Sequence, residues 1–300
     1  MAKSKLTSYI GAAVAVVLWG ISYLWTNEIL QHDVPVFLFI FFRMAFAAII
    51  MTVATRLLGK LQKIRKGDFW TFALLAFFEP FLYFIGESYG IRITGSPTTA
   101  SVIIATIPVL MLLYGVMFFK EKLTALNETG VLLSVGGIML FSFKKGGMHV
   151  DYFYGVLFLL LAVISSVSYS IIGKKLSARY SSVTILTYQY LFGTLYFLMP
   201  FLTIGLPHWS SAFVTWSVIR PLLLLSVFAS CVAYGLYLNM LRDLGLVRAS
   251  VFTAVIPIFA AVGAFFLGQE TFVWNQLVGM VFAMCGVAFA QIPSGRKIQK

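Results

Sequence analysis

Residues 100–108 read Ala-Ser-Val-Ile-Ile-Ala-Thr-Ile-Pro, and residues 249–257 read Ala-Ser-Val-Phe-Thr-Ala-Val-Ile-Pro. The offset is 149 residues. The same offset carries Glu121 onto Glu270, Gly130 onto Gly279 and Gly137 onto Gly286. Two apolar stretches coincide by chance at Ala or Val, but not readily at a Pro, a Glu and two Gly in one frame. Nearer the start, an offset of 146 lays Trp19-Gly20-Ile21-Ser22-Tyr23 on Ser165-Ser166-Val167-Ser168-Tyr169 and Arg43 on Gln189. A fixed offset is the mark of a repeated structural unit. The chain therefore reads as two halves, 9–143 and 153–291.

Composition says what each half is made of. Apolar residues are 60% of the 300 and charged residues 11%, against roughly 45–50% and about 25% in ordinary globular proteins. So few charges cannot cover the surface of a water-soluble fold this size, which makes lipid the main solvent. Two cysteines, Cys231 and Cys285, sit in apolar runs and imply no disulfide framework. A lipid-spanning helix needs about 20 mostly apolar residues. Ten such runs are present: 9–30, 35–57, 69–91, 95–119, 125–143, 153–174, 182–205, 218–241, 247–268 and 273–291. Runs and short joints use up the chain and leave no room for a sizeable soluble domain. The first run continues through Trp19, Tyr23 and Trp25 without a small-residue cleavage pattern, so it reads as an uncleaved helix rather than a signal peptide.

The net charge of +12 has a membrane explanation and needs no nucleic acid. Alternate joints with the run ends beside them hold 17 of the 22 basic residues; the other joints and run ends hold only Arg92, Lys144, Lys145 and Arg220, and Arg43 lies well inside a run. Basic residues concentrate in cytoplasmic loops, so both termini are expected in the cytoplasm. Five helices per half is an odd number, so the second half enters the membrane from the opposite side. The expected fold is all-α: ten transmembrane helices as two inverted five-helix repeats. That architecture supports alternating access to one site at the repeat interface.

Ionisable groups at membrane depth are costly and mark function or pairing. Arg43, Glu79 and Glu87 are such groups. At 1.5 Å per residue, Arg43 lies ~12 Å from the outer end of its run, Glu79 ~18 Å and Glu87 ~6 Å. On the third run Glu79, Tyr83, Gly86 and Glu87 recur at helical spacing and form one polar stripe. Two readings stand side by side: a static ion pair locking two helices, or a site where Glu79 exchanges a proton or meets a cationic group of the substrate. Arg43 is expected either to pair with Glu79 or Glu87, or to bind substrate anions. Cavity-lining candidates are Trp19, Ser22, Tyr23 and Thr26 on the first helix, Ser165, Ser168 and Tyr169 on the sixth, and Ser230, Tyr234, Tyr237 and Asn239 on the eighth. Gln189 joins them as the counterpart of Arg43. Aromatic rings with polar tips suit a cavity wall; small and hydroxyl residues serve helix contacts equally well. Pro108 and Pro257 interrupt corresponding helices, which points to a binding region or to a structural bend. Glu121 and Glu270 end those helices on opposite faces, as gate residues or as helix-end hydrogen-bonding groups.

Catalysis finds little support. His32, His149 and His208 are scattered in outer joints, no Cys/His metal spacing exists, and no phosphate-binding glycine loop is present. No cofactor or metal is expected.

The quoted residues carry a known pattern: Trp19, Gly20 and Ser22 in the first helix, Arg43 in the second, Ala100-Ser101, Ala105 and Pro108 in the fourth, then Glu121, Gly130 and Gly137. This resembles the drug/metabolite transporter superfamily, and within it the EamA-type permeases, over residues 9–291. The resemblance implies a carrier in a bacterial inner membrane with a central cavity, many such carriers being exporters. Gln189 and Ser165-Ser166 depart from the pattern, so a symmetrical substrate site is not implied. The expected function is a secondary carrier for a small polar or amphipathic metabolite, amino-acid-like or drug-like, acting as a proton-linked exporter. Its expected partners are that substrate, membrane lipid and protons, in a monomer or weak homodimer. The alternatives are an uncoupled facilitator or exchanger, and a lipid-modifying membrane enzyme.

Overall fold

A computed structural model describes residues 2–119, 124–142 and 150–292 of the chain. Among them are fourteen α-helices and no strand. They are α1 (Ala2–Leu30), α2 (Val36–Leu57), α3 (Phe69–Ala76), α4 (Tyr83–Thr94), α5 (Pro97–Ile104), α6 (Ile107–Phe119) and α7 (Ala125–Ser142). Then follow α8 (Val150–Ser177), α9 (Ser182–Pro200), α10 (Trp216–Leu224), α11 (Tyr234–Leu244), α12 (Leu246–Thr253), α13 (Ile256–Phe266) and α14 (Trp274–Ala290). Eight helical segments of the described residues are long and apolar enough to cross a membrane, and Ala125–Phe141 and Trp274–Ala290 are shorter apolar helices. The protein is a multi-pass membrane protein.

Several membrane-long segments are composite. α3 and α4 are joined by a π-helical stretch, Phe77–Leu82, and α10 and α11 by another, Leu225–Ala233. Pro80 explains the first. It has no N–H to give to the turn before it, and Glu79 leaves helical geometry altogether, with φ −145° and ψ 112°. The third segment is thus not the unbroken helix that its hydropathy suggests. The α5–α6 and α12–α13 pairs break at Ala105–Thr106 and Ala254–Val255. Pro108 and Pro257 follow these breaks as the second residues of α6 and α13, where a missing N–H costs nothing. Gly95, at φ +63°, ends α4, and Ser96 caps α5 by accepting from the Thr99 amide at 2.9 Å.

Packing joins the two halves helix by helix. α2 packs on α9, α4 on α8, α1 on α10, α11 and α13, and α5 and α6 on α8. α7 and α14 form the tightest pair, running antiparallel through four glycines. A Cβ on Gly130 would stand 2.7 Å from the Gly286 carbonyl oxygen, and one on Gly137 would stand 2.7 Å from that of Gly279. Small residues let helix backbones approach this closely, and in lipid such van der Waals packing drives association.

Polar ties sit at both ends of the bundle. At the end where the chain begins, Ser8 donates to Asp243 at 2.8 Å and Ser182 to Asn239 at 2.7 Å. There Asp68 also meets Arg179 at 3.0 Å and accepts from the Tyr180 hydroxyl at 2.9 Å. At the other end Arg220 pairs with Glu28, Asn27 donates to Gln269 at 3.0 Å, and the Glu270 carboxylate accepts from the Thr98 amide at 3.4 Å. Lys174 donates to the carbonyls of Leu241 and Arg242, where the last turn of α11 leaves carbonyls without helical partners.

Candidate functional site

The unbroken α1, α2 and α8 and the elements that carry breaks together line a central cavity with about 480 Å³ of space between atoms. Side chains crowd it, leaving room for roughly two or three water molecules. Any larger occupant needs the helices to part. α1 contributes Trp19, Ser22 and Tyr23; the 77–82 break and α4 contribute Glu79, Tyr83 and Glu87; α2 contributes Arg43. The second half contributes Ser166, Tyr169, Tyr234, Tyr237 and Thr253.

Arg43, Glu79 and Glu87 are 2%, 3% and 4% exposed, so each needs a partner within the protein. Arg43 Nη1 lies 3.9 Å from Glu87 Oε2, its Nε donates to Ser230 Oγ at 3.1 Å, and its Cζ lies 4.0 Å from the centroid of the Phe84 ring. Glu87 also accepts from the Tyr83 hydroxyl at 3.2 Å, and Tyr83 in turn meets the Tyr23 hydroxyl at 3.4 Å. Of the two carboxylates that depth suggested as partners for Arg43, the fold brings Glu87 to it.

Glu79 is held differently. It sits where the third segment breaks, and its Oε1 accepts a hydrogen bond from the Tyr234 hydroxyl. Its Oε2 is buried and accepts none. Among the described residues it has no ion-pair partner. Tyr234 is fixed from several sides: its ring lies edge-on to Trp19 at 5.1 Å, to Tyr169 at 5.9 Å and to Phe84 at 6.5 Å. Trp19 also meets Tyr237 at 5.2 Å, and Tyr237 shares a 2.9 Å hydrogen bond with Ser170.

Other residues singled out in the sequence lie elsewhere. Gly86 does not share the polar stripe. It faces α8, where a Cβ would stand 2.4 Å from the Phe158 carbonyl oxygen. Ser165 and Ser168 bond the carbonyls of Leu161 and Ile164 within their own helix, and Ser166 takes the place at the cavity. Asn239 accepts from Ser182 at the end of α9, away from the cavity. Thr26 is buried but does not line it. Gln189 lies behind Tyr169, accepting its hydroxyl at 3.2 Å. Pro257 lines a small separate gap with Val102 and Ala283, and the Pro108 carbonyl accepts from Gln291 at 2.7 Å. Glu270 reaches the N-terminus of α5, a helix-end contact; Glu121 and His149 lie outside the described residues. Thr253 is a cavity residue that sequence reasoning missed. Its only signal was its place just before the break that precedes Pro257.

No group of His, Cys, Asp and Glu among the described residues could hold a metal ion. The cavity's chemistry is that of binding: two carboxylates, one guanidinium, hydroxyls and aromatic faces. Protein comparisons agree with that reading. The model of the EamA-like transporter family matches residues 6–143 and 153–291. The chain is 24% identical over 296 residues to the uncharacterized transporter YetK of Bacillus subtilis, covering 96% of this chain and 87% of that one. It is 27% identical over 314 residues to the uncharacterized transporter YcxC of the same organism, covering 100% and 98%. A solved crystal structure aligns with a TM-score of 0.69 over 97% of this chain and 96% of that one, at 16% identity, a likeness of fold alone. Both of these Bacillus subtilis relatives are named as transporters. The chain belongs to the EamA-like transporter family, and through it to the drug/metabolite transporter superfamily.

Proposed function

We propose that the protein is a proton-linked secondary carrier that exports a small polar or amphipathic metabolite across a bacterial inner membrane by alternating access. Its ten apolar helical segments are read as ten spans in two inverted repeats, 9–143 and 153–291, with both termini cytoplasmic. The reciprocal glycine contacts of α7 and α14 support the inversion: Gly130 meets Gly286 as Gly279 meets Gly137, which is what a two-fold axis between the helices requires. The cavity lies where the two halves meet, and its small free space suits an occluded intermediate between inward- and outward-open states.

One observation carries the proton linkage. Glu79 is 3% exposed, lines the cavity and has no ion-pair partner among the described residues. The titratable and charged groups near enough to act on it are the hydroxyls of Tyr23, Tyr83, Tyr169, Tyr190, Tyr234 and Tyr237, the Glu87 carboxylate and the Arg43 guanidinium, and the Ser166 hydroxyl lies within reach as well. Arg43 is already engaged by Glu87. An unpaired carboxylate at this depth is stable only when neutral or when a cation arrives, so its proton and its ligand compete.

Sealed vesicles containing the purified protein test this. With an imposed pH gradient and a pH dye inside, a panel of amines and amino acids should include compounds that discharge the gradient. Glu79→Gln should abolish the proton movement. Equal gradient-driven transport by the Gln variant would overturn Glu79 as the coupling group, and transport that moves no protons would favour an uncoupled facilitator.

A further inference from the structure

The cavity holds two carboxylates and one guanidinium, and the charges do not cancel. Arg43 and Glu87, 3.9 Å apart, offset each other. Glu79 remains, with Oε1 on the Tyr234 hydroxyl and Oε2 buried and without a hydrogen bond. Resting on the proton-linked reading of Glu79, we propose that the substrate is a monovalent organic cation: an amine with an apolar or aromatic body and no anionic group, displacing one proton from Glu79.

The walls fit that class. Trp19, Tyr169, Tyr234 and Tyr237 line the cavity as one ring cluster, with Tyr234 on Glu79, and aromatic faces attract a cation most strongly where water is excluded. Ser22, Ser166 and Thr253 supply a few hydroxyls. The arrangement disfavours an anion or a zwitterion, whose carboxylate would have to turn to Arg43. That guanidinium already gives Nε to Ser230 Oγ, lies over Phe84 and places Nη1 opposite Glu87. Drawing it away would strand Glu87 as a second unpaired carboxylate in lipid.

Exchange then balances simply. The O–H bond of the Glu79 carboxylic acid breaks, and its proton leaves to water on the side to which the cavity is open. The carboxylate keeps the electron pair, and its free oxygen accepts the N–H bonds of the ammonium. No covalent bond to the substrate forms. The groups that act on Glu79 are the same as before: the six tyrosine hydroxyls, Ser166, Glu87 and Arg43. The protonated carrier and the loaded carrier carry the same net charge. Exchange is therefore one proton for one cation, driven by a pH gradient and indifferent to membrane potential.

Three probes with one ring separate the classes: phenethylamine, phenylalanine and 3-phenylpropionate, carrying +1, zwitterionic and −1 charge. Calorimetry on the full-length protein in two buffers of different ionisation heat counts the protons released. Phenethylamine should bind at least tenfold more tightly than the other two and release about one proton where Glu79 starts protonated. Its affinity should rise about tenfold per pH unit across that range. Glu79→Gln should lose the binding and Glu79→Asp should keep it; the Asp variant and the proton count still decide the matter if the Gln variant does not fold. In proteoliposomes, phenethylamine flux should follow the pH gradient and be unchanged by a potassium–valinomycin potential. Preferred binding of phenylalanine or phenylpropionate with proton release overturns the cation class but spares proton linkage. Amine binding without proton release overturns the linkage as well. Failure of all three probes to bind at millimolar concentration overturns the proposed class.

Discussion

Gly137 and Gly279 approach each other reciprocally: a Cβ built on either would stand 2.7 Å from the other's carbonyl oxygen. Gly130 and Gly286 repeat the relation at 2.7 and 2.6 Å. The offset of 149 residues that relates Gly130 to Gly279 and Gly137 to Gly286 thus has a spatial meaning. Residues matched in sequence exchange places across the α7–α14 crossing.

That crossing has no room for side chains. Gly137→Val should force α7 off α14 and cost at least the roughly 1–3 kcal/mol typical of overpacking, because the obstacle is backbone. Gly136→Ala is the control, since a Cβ there meets nothing within 4 Å. Thermal unfolding in detergent should show a large drop for the first variant and almost none for the second.

Arg43 and Glu87 should behave as a buried pair. Arg43→Ala leaves a carboxylate stranded in the bundle and should cost about 3–5 kcal/mol. Adding Glu87→Gln removes the stranded charge and should recover much of that loss. A double variant no more stable than the worse single one would show that Arg43 owes its place to something other than Glu87.

The Tyr234 hydroxyl donates to Glu79 Oε1. Tyr234→Phe keeps the ring contacts with Trp19 and Tyr169 and removes only that donor. Stability should fall by about 1–3 kcal/mol, the cost of leaving a buried polar group unsatisfied. At pH high enough for Glu79 to have lost its proton, the same change in a Glu79→Gln background should cost measurably less, because a neutral amide loses less than a carboxylate does. Equal losses in both backgrounds would mean that the hydroxyl matters for another reason.

At the end of the bundle where the chain begins, two contacts to Asp68 should differ in worth. The Arg179 side chain is 47% exposed, and exposed ion pairs contribute about 0–1 kcal/mol. Tyr180 is buried; its hydroxyl donates to Asp68 and accepts from the Arg65 amide at 3.1 Å. Tyr180→Phe should therefore destabilise more than Arg179→Ala, as read by melting temperature, and raised salt should narrow only the Arg179 effect.

The distribution of basic residues makes a topological prediction. Reporters fused at either terminus should be active in the cytoplasmic form and silent in the periplasmic form. A periplasmic signal at one end would leave an odd number of spans and contradict the pairing of the two halves.

The sequence by itself determined that this chain lives in lipid, roughly where its apolar segments lie, and that marked positions recur at a fixed offset. Hydropathy suffices for the first two because a bilayer sets the length of every apolar run, and a repeat survives at positions where only Gly or Pro serves. Most cavity residues were legible for a related reason: Arg43, Glu79 and Glu87 are charges that lipid forbids unless the interior receives them. Only the tertiary structure decided which carboxylate faces Arg43. Depth along straight helices put Glu79 and Glu87 on equal terms, and the break at Glu79–Pro80 turned one to Tyr234 while the other stayed beside the guanidinium. It also decided that Gly86 is a packing surface and that Ser166, not Ser165 or Ser168, reaches the cavity. Helical spacing ranks residues on a face, but which face turns inward depends on the neighbouring helix. That is set by contacts between segments far apart in the chain, which no local pattern records.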